Sequence, residues 1–167
     1  MLFSPEFLFQ RAADITPQFL KSRGIRGLIL DLDNTLTTHN NPVPPPEIPA
    51  WIARLKAAGI AVMIVSNNSR VRVTPFAQQL GLDFIPRGCK PLPIGMRRAA
   101  KKMGLTRRQV AAVGDQLFTD ILGAKLGGMH GIFVFPMAAE KGPVFRFKRL
   151  LEKPILRGKK LTDADCN

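Results

Sequence analysis

From residue 27 onward the chain alternates short apolar runs with longer amphipathic stretches, and that rhythm leaves few folds open to it. Short apolar runs bounded by turn residues read as strands buried on both faces, and strands of that kind interleaved with helices form a parallel sheet covered on both sides. Strands are expected at 28–31, 60–65, 110–114 and 132–135, with a weaker one at 83–86. Between them, 47–58 places Ile48, Trp51, Ile52 and Leu55 on one helical face and stops at Gly59. The stretch 94–103 turns Met96, Ala99, Ala100 and Met103 inward and Arg97, Arg98, Lys101 and Lys102 outward, and a further helix fits 119–126 before Gly127 and Gly128. The "NNPVPPPE" segment, 40–47, reads as a stiff loop. The expected fold is a three-layer α/β, Rossmann-like sheet in one domain over 1–167. Its core covers about 25–137, with flanking segments 1–24 and 138–167.

The first buried run ends in an unusual way. "GLILDLDNTLTTHN", 27–40, passes from four apolar residues to Asp31 and Asp33, then to an amide and hydroxyls. One unpaired buried polar group costs roughly 2–7 kcal/mol, so the cluster needs compensation. In open parallel sheets ligands bind beyond the carboxyl ends of the strands. Ser66, Asn67 and Asn68 end the second strand and Asp115 follows the strand 110–114, so three strands deliver polar groups to one edge. Lys90, just before a helix, reaches the same edge with a cation, and a divalent ion supplies the remaining positive charge. Magnesium suits a few carboxylates plus a phosphate and water. With Asp31 and Asp115 as ligands, such a site can present a phosphoryl group to a carboxylate nucleophile. Ser66 and Lys90 would donate to its oxygens, and Asp33 would act as general acid and then base.

Charge bears on partners more than on fold. A formal net charge of +13 favours anionic lipid surfaces, nucleic acids or phosphorylated substrates, although a merely solvated basic surface is the plainer reading. Cys89 and Cys166 stand far apart and outside any CxxC pair, which excludes a disulfide framework and fits a reducing, cytoplasmic compartment. The apolar amino terminus is broken by Pro5 and Glu6 and does not read as a signal peptide, and no run is long enough to span a membrane.

Four ordered segments resemble the motifs of the haloacid dehalogenase-like phosphohydrolases. They are "DLDNT" (31–35), "VSNN" (65–68), "KP" (90–91) and "GDQLFTD" (114–120). The resemblance implies Asp31 as nucleophile, Asp33 as acid/base that also offers its backbone carbonyl to magnesium, and Asp115 as a further metal ligand. It implies Ser66, Asn67 and Lys90 as phosphate ligands, with Thr35, Asn68, Gly114 and Asp120 in support. An aspartate at position 33 implies a phosphatase rather than a dehalogenase. The gaps between motifs hold a loop and single helices, leaving no room for a separate cap domain, and an open site suits a bulky substrate. With "ITPQFLKSRGIRGLILDLDNTL", "GDQLFTDILGAKLGG" and "FRFKRLLEKPILR", most of the chain is similar to the small YqeG-type, subclass IIIA phosphatases. These are related to the phosphatidylglycerophosphate phosphatases, which implies dephosphorylation of that lipid to phosphatidylglycerol.

The tail 143–153, "PVFRFKRLLEK", groups Val144, Phe147, Leu150 and Leu151 among Arg146, Lys148, Arg149 and Lys153 before Pro154 interrupts it. It suits either an anionic membrane face or packing on the core, and the first segment with Leu2, Phe3, Phe7, Leu8 and Phe9 carries the same two readings. A phosphatase for protein or nucleic-acid phosphate ends, and a basic RNA-binding protein without turnover, remain alternatives. An EF-hand is discarded because Leu36 stands where its glycine belongs and Pro42 where its glutamate belongs. His39 is read as a solvated loop residue, His130 as structural, and Cys89 receives no role.

Overall fold

The structure, a computed structural model, describes residues 2–139 and 142–163, the Phe145 side chain excepted. Cys166 lies outside the described residues. Six strands form one sheet: β1 (Phe7–Phe9), β2 (Gly27–Leu30), β3 (Ala61–Val65), β4 (Asp83–Ile85), β5 (Val110–Gly114) and β6 (His130–Val134). Their order is β1-β6-β5-β2-β3-β4, and every pairing is parallel. Helices α1 (Pro17–Ser22), α2 (Glu47–Ala57), α3 (Arg70–Leu80), α4 (Ile94–Lys102), α5 (Leu122–Gly127) and α6 (Pro143–Leu156) complete the described elements, with short 3-10 turns between some of them.

The pleat sorts each strand between two cores. Leu28 and Leu30, Val62 and Ile64, and Ala111 and Val113 face Trp51, Leu55 and Phe76 of α2 and α3. Ile29, Met63, Val65 and Ala112 face Met96, Ala99 and Ala100 of α4 and Ala124 of α5. Near-continuous apolar strands are what a sheet covered on both faces requires. The α/β three-layer expectation is therefore met, and the connections β2–β3 and β3–β4 each carry one helix and no inserted domain.

Some boundaries differ from the sequence reading. The strand expected at 132–135 begins at His130, where the ring nitrogens contact Glu6 Oε2 at 2.5 Å and the Arg108 carbonyl at 3.1 Å. The helix expected over 119–126 opens as a π-helical turn, Leu117–Ile121, before α5. Pro154 does not interrupt the tail helix, which runs on to Leu156. A proline there forgoes one N–H bond to the carbonyl four residues back, on exposed Leu150, where water can satisfy it. Strand β1 was not anticipated, because three residues carry too little periodicity to read; its Leu8 and Phe9 are buried in the sheet edge. The Trp51 Nε1–H donates to the Ile15 carbonyl at 2.7 Å, tying α2 to the amino-terminal segment.

Candidate active site

The carboxyl ends of β2, β3 and β5 converge as the parallel order demands. The Asp31 N–H extends the ladder by donating to the Val113 carbonyl at 3.0 Å, so the carboxylate leaves the sheet at its last hydrogen bond. Asn34 then turns the chain with φ 61°, a left-handed conformation that asparagine tolerates better than most residues, and its N–H donates to the Thr37 carbonyl at 2.6 Å. This turn brings Asp33 back over the edge. Asp33 Oδ2 accepts from Asn68 Nδ2 at 2.5 Å, and Oδ1 accepts from Arg72 Nη2 at 2.8 Å and the Asn40 N–H at 3.1 Å.

Lys90 is the hub. Its buried ammonium lies 2.6 Å from both Asp31 Oδ1 and Asp120 Oδ1. The loop that carries it is tense: Arg87 and Cys89 hold φ of 48° and 58°, conformations that cost about 1–3 kcal/mol each in a non-glycine residue. Asn67 offsets this cost by gripping the Lys90 backbone twice, accepting its N–H at 2.8 Å and donating Nδ2 to its carbonyl at 2.9 Å. The Asn67 amide, expected on the phosphate, is thus committed to the lysine loop. Ser66 is buried at the end of β3 with Oγ accepting the Asn68 N–H at 3.1 Å.

Gly114 and Asp120 meet more closely than a side chain would allow. A Cβ built on Gly114 would lie 2.2 Å from Asp120 Cγ, so glycine at the end of β5 is the condition for Asp120 to fold over the strand. The π-helical turn aims Asp120 there, and its Oδ2 accepts the Gln116 N–H at 3.2 Å. Asp31, Asp115 and Asp120 each offer an oxygen within 4.8 Å of the others, a spacing that fits one cation.

Electrostatics point the same way. Burial pushes the Asp31 carboxyl up to about 6, with Lys90 opposing and the Asp120 charge adding to the rise. Burial, then Asp31 and Asp120, hold Asp115 well above the ordinary carboxylate range, Arg149 opposing. Burial disfavours the Lys90 charge, but Asp120 and Asp31 outweigh it and raise its pKa. The like charges are undercompensated, and hard oxygen donors in a carboxylate-rich cluster match a magnesium-type ion.

Three neighbours of the carboxylate cluster escaped the sequence reading as site residues. Arg149 of α6 donates from Nη1 to the Asp115 carbonyl and from Nη2 to Asp115 Oδ2, and from Nη1 to Glu152 Oε2 at 2.8 Å. Buried Glu152 also accepts the Leu117 N–H at 2.8 Å, and Asp115 Oδ1 receives a long 3.5 Å contact from Thr35 Oγ1. The only signal was a lone glutamate in a basic helix three residues after an arginine. Arg72, on Asp33 and the Asn41 carbonyl, had no signal beyond following "VSNNS" in the chain. His39 is exposed in the loop, and exposed Cys89 is a free thiol.

A family model for haloacid dehalogenase-like hydrolases matches residues 39–128. The chain is 40% identical over 154 residues to the "Probable phosphatase YqeG" of Bacillus subtilis, covering 92% of this chain and 90% of that protein. It is 28% identical over 145 residues to the mitochondrial phosphatidylglycerophosphatase GEP4 of Saccharomyces cerevisiae, covering 76% of each. The cobalt-bound deoxy-D-mannose-octulosonate 8-phosphate phosphatase of Haemophilus influenzae shares the fold, with a TM-score of 0.57 at 18% identity over 84% of this chain and 91% of that one.

Proposed function

The chain belongs to the haloacid dehalogenase-like hydrolases and is a phosphatase of that family, and we propose that it hydrolyses phosphatidylglycerophosphate through a phosphorylated Asp31. The observation that carries the chemistry is Lys90 held 2.6 Å from Asp31, at the carboxyl edge of the sheet that also carries Asp33, Ser66 and Asp115. Magnesium, held by Asp31, Asp115 and the Asp33 carbonyl, would neutralise the phosphoryl oxygens and hold them against the nucleophile.

Asp31 attacks phosphorus as its carboxylate while Lys90 and the Ser66 hydroxyl offset charge on the phosphoryl oxygens. The phosphorus–oxygen bond to the alcohol breaks, and Asp33 gives that oxygen its proton. Water then attacks the phosphorus, Asp33 takes its proton, and the bond to Asp31 breaks to release inorganic phosphate. Arg72 and Asn68 fix the Asp33 carboxyl for both transfers, Asn67 and Asp120 fix Lys90, and Gly114 makes room for Asp120.

The lipid assignment rests on likeness to GEP4 over 76% of both chains and on an edge that no inserted domain covers. Its test is phosphate release from phosphatidylglycerophosphate in mixed micelles with magnesium, against a soluble phosphate ester and a 5′-phosphorylated oligonucleotide. Preference for the lipid is expected. Hydrolysis of the soluble ester with the lipid refused would keep the chemistry and discard the substrate.

A further inference from the structure

Helix α6 is apolar on two sides. Toward the protein, Ile155 and Leu156 pack against Leu8, Leu117, Ile121 and Phe133, while Arg149 holds Asp115. On the other side Val144, Phe147, Leu150 and Leu151 are 65%, 61%, 60% and 44% exposed. Spacings of three, four and seven residues put them on one stripe, and core packing, which uses the opposite face, does not account for it.

Cations surround this stripe. Arg146 and Lys153 are exposed within the helix, Arg157, Lys159 and Lys160 follow it, and the one acidic side chain of α6, Glu152, is turned inward and buried. A groove of about 780 Å³ runs between α6 and the segment after β6, where Arg146, Arg149 and Lys153 meet Pro136, Ala138 and Leu150. Cations and apolar groups therefore share one surface, within an arginine side chain's reach of Asp115.

We propose that this face of α6 docks on an anionic lipid bilayer, the stripe lying among the headgroups and the cations on lipid phosphates. The proposal deepens the phospholipid reading and rests on it for the choice of occupant. A nucleic acid would engage the cations and leave four large apolar side chains in water, whereas a bilayer interface takes both. Because Arg149 ties the inner face of α6 to Asp115, a docked helix holds the carboxylate cluster about one helix diameter, roughly 10–12 Å, behind the docked face.

The test is sedimentation of the full chain with vesicles of phosphatidylcholine alone or mixed equally with phosphatidylglycerol. Binding to the mixed vesicles alone is expected, weakened about tenfold or more in a Phe147→Ser, Leu151→Ser double variant. Hydrolysis of soluble p-nitrophenyl phosphate should be unchanged in that variant, which also reports its fold; Val144→Ser, on the first turn, repeats the test if it is not. Failure of the wild type to bind mixed vesicles, or undiminished binding by the variants, overturns the proposal. A wild type that binds the vesicles yet releases no phosphate from phosphatidylglycerophosphate within them upholds the docking and removes the substrate. One that hydrolyses the lipid in detergent and ignores the vesicles does the reverse.

Discussion

At the scale of single residues, the site is a charge problem solved by a few contacts. Asn67→Ala removes both hydrogen bonds that hold the Lys90 backbone. Displacing a catalytic group by about 1 Å can cost on the order of 10²-fold, so the expected outcome is a kcat lower by about that factor, together with a thermal midpoint lowered by several degrees as the strained loop loses both bonds, read by steady-state kinetics and calorimetry. Gly114→Ala drives Asp120 off Lys90, because the new Cβ would lie 2.2 Å from Asp120 Cγ. It should lower stability by roughly 1–3 kcal/mol in denaturant titration and abolish turnover. Burial raises Asp31 to about 6, so in chelator the folded state keeps a proton that the unfolded chain has released at an ordinary carboxylate pKa. This group's contribution to stability is therefore present at acid pH and lost as pH rises toward and through 6. Melting with EDTA against magnesium should show the metal stabilising more at pH 7 than at pH 5. The acidic residues and Lys90 were legible because their types and order are distinctive. Arg72 and Arg149 were not, since an arginine's partner is decided by where its helix lands.

At the scale of elements, β2, β3 and β5 were readable because strands buried on both faces are apolar throughout, and α2 and α4 because their stripes are regular. The π-helical turn at Leu117–Ile121 was not, for it answers to Asp120 folding over Gly114 and not to any local preference. Strand β1 depends on β6 for its pairing. Helix α6 is tied to the site by Arg149, which shares itself between Asp115 and Glu152. Arg149→Met leaves buried Glu152 and Asp115 without that cation, and removing one partner of a buried pair costs about 3–5 kcal/mol. The variant should melt well below wild type in chelator and recover more than wild type does on adding magnesium, because a cation at Asp115 replaces part of the lost charge. Equal magnesium shifts in both proteins would contradict this coupling.

At the scale of the whole molecule, a net charge of +13 and a sheet edge that no inserted domain covers are the features the proposed lipid reading draws on. Among the described residues no helix is long and apolar enough to cross a membrane, and the proposed lipid contact is assigned to the exposed stripe of α6. The parallel architecture was legible in the rhythm of apolar runs; which face of the tail packs inward was not, because α6 carries two apolar sides and only tertiary contact chooses between them. The central claim is that Asp31 carries the phosphoryl group. Rapid acid quench during turnover with magnesium, followed by peptide mass spectrometry, should find a phosphoryl adduct on Asp31 that vanishes, with activity, in Asp31→Asn. Undiminished turnover by Asp31→Asn, or an adduct on another residue, would contradict it.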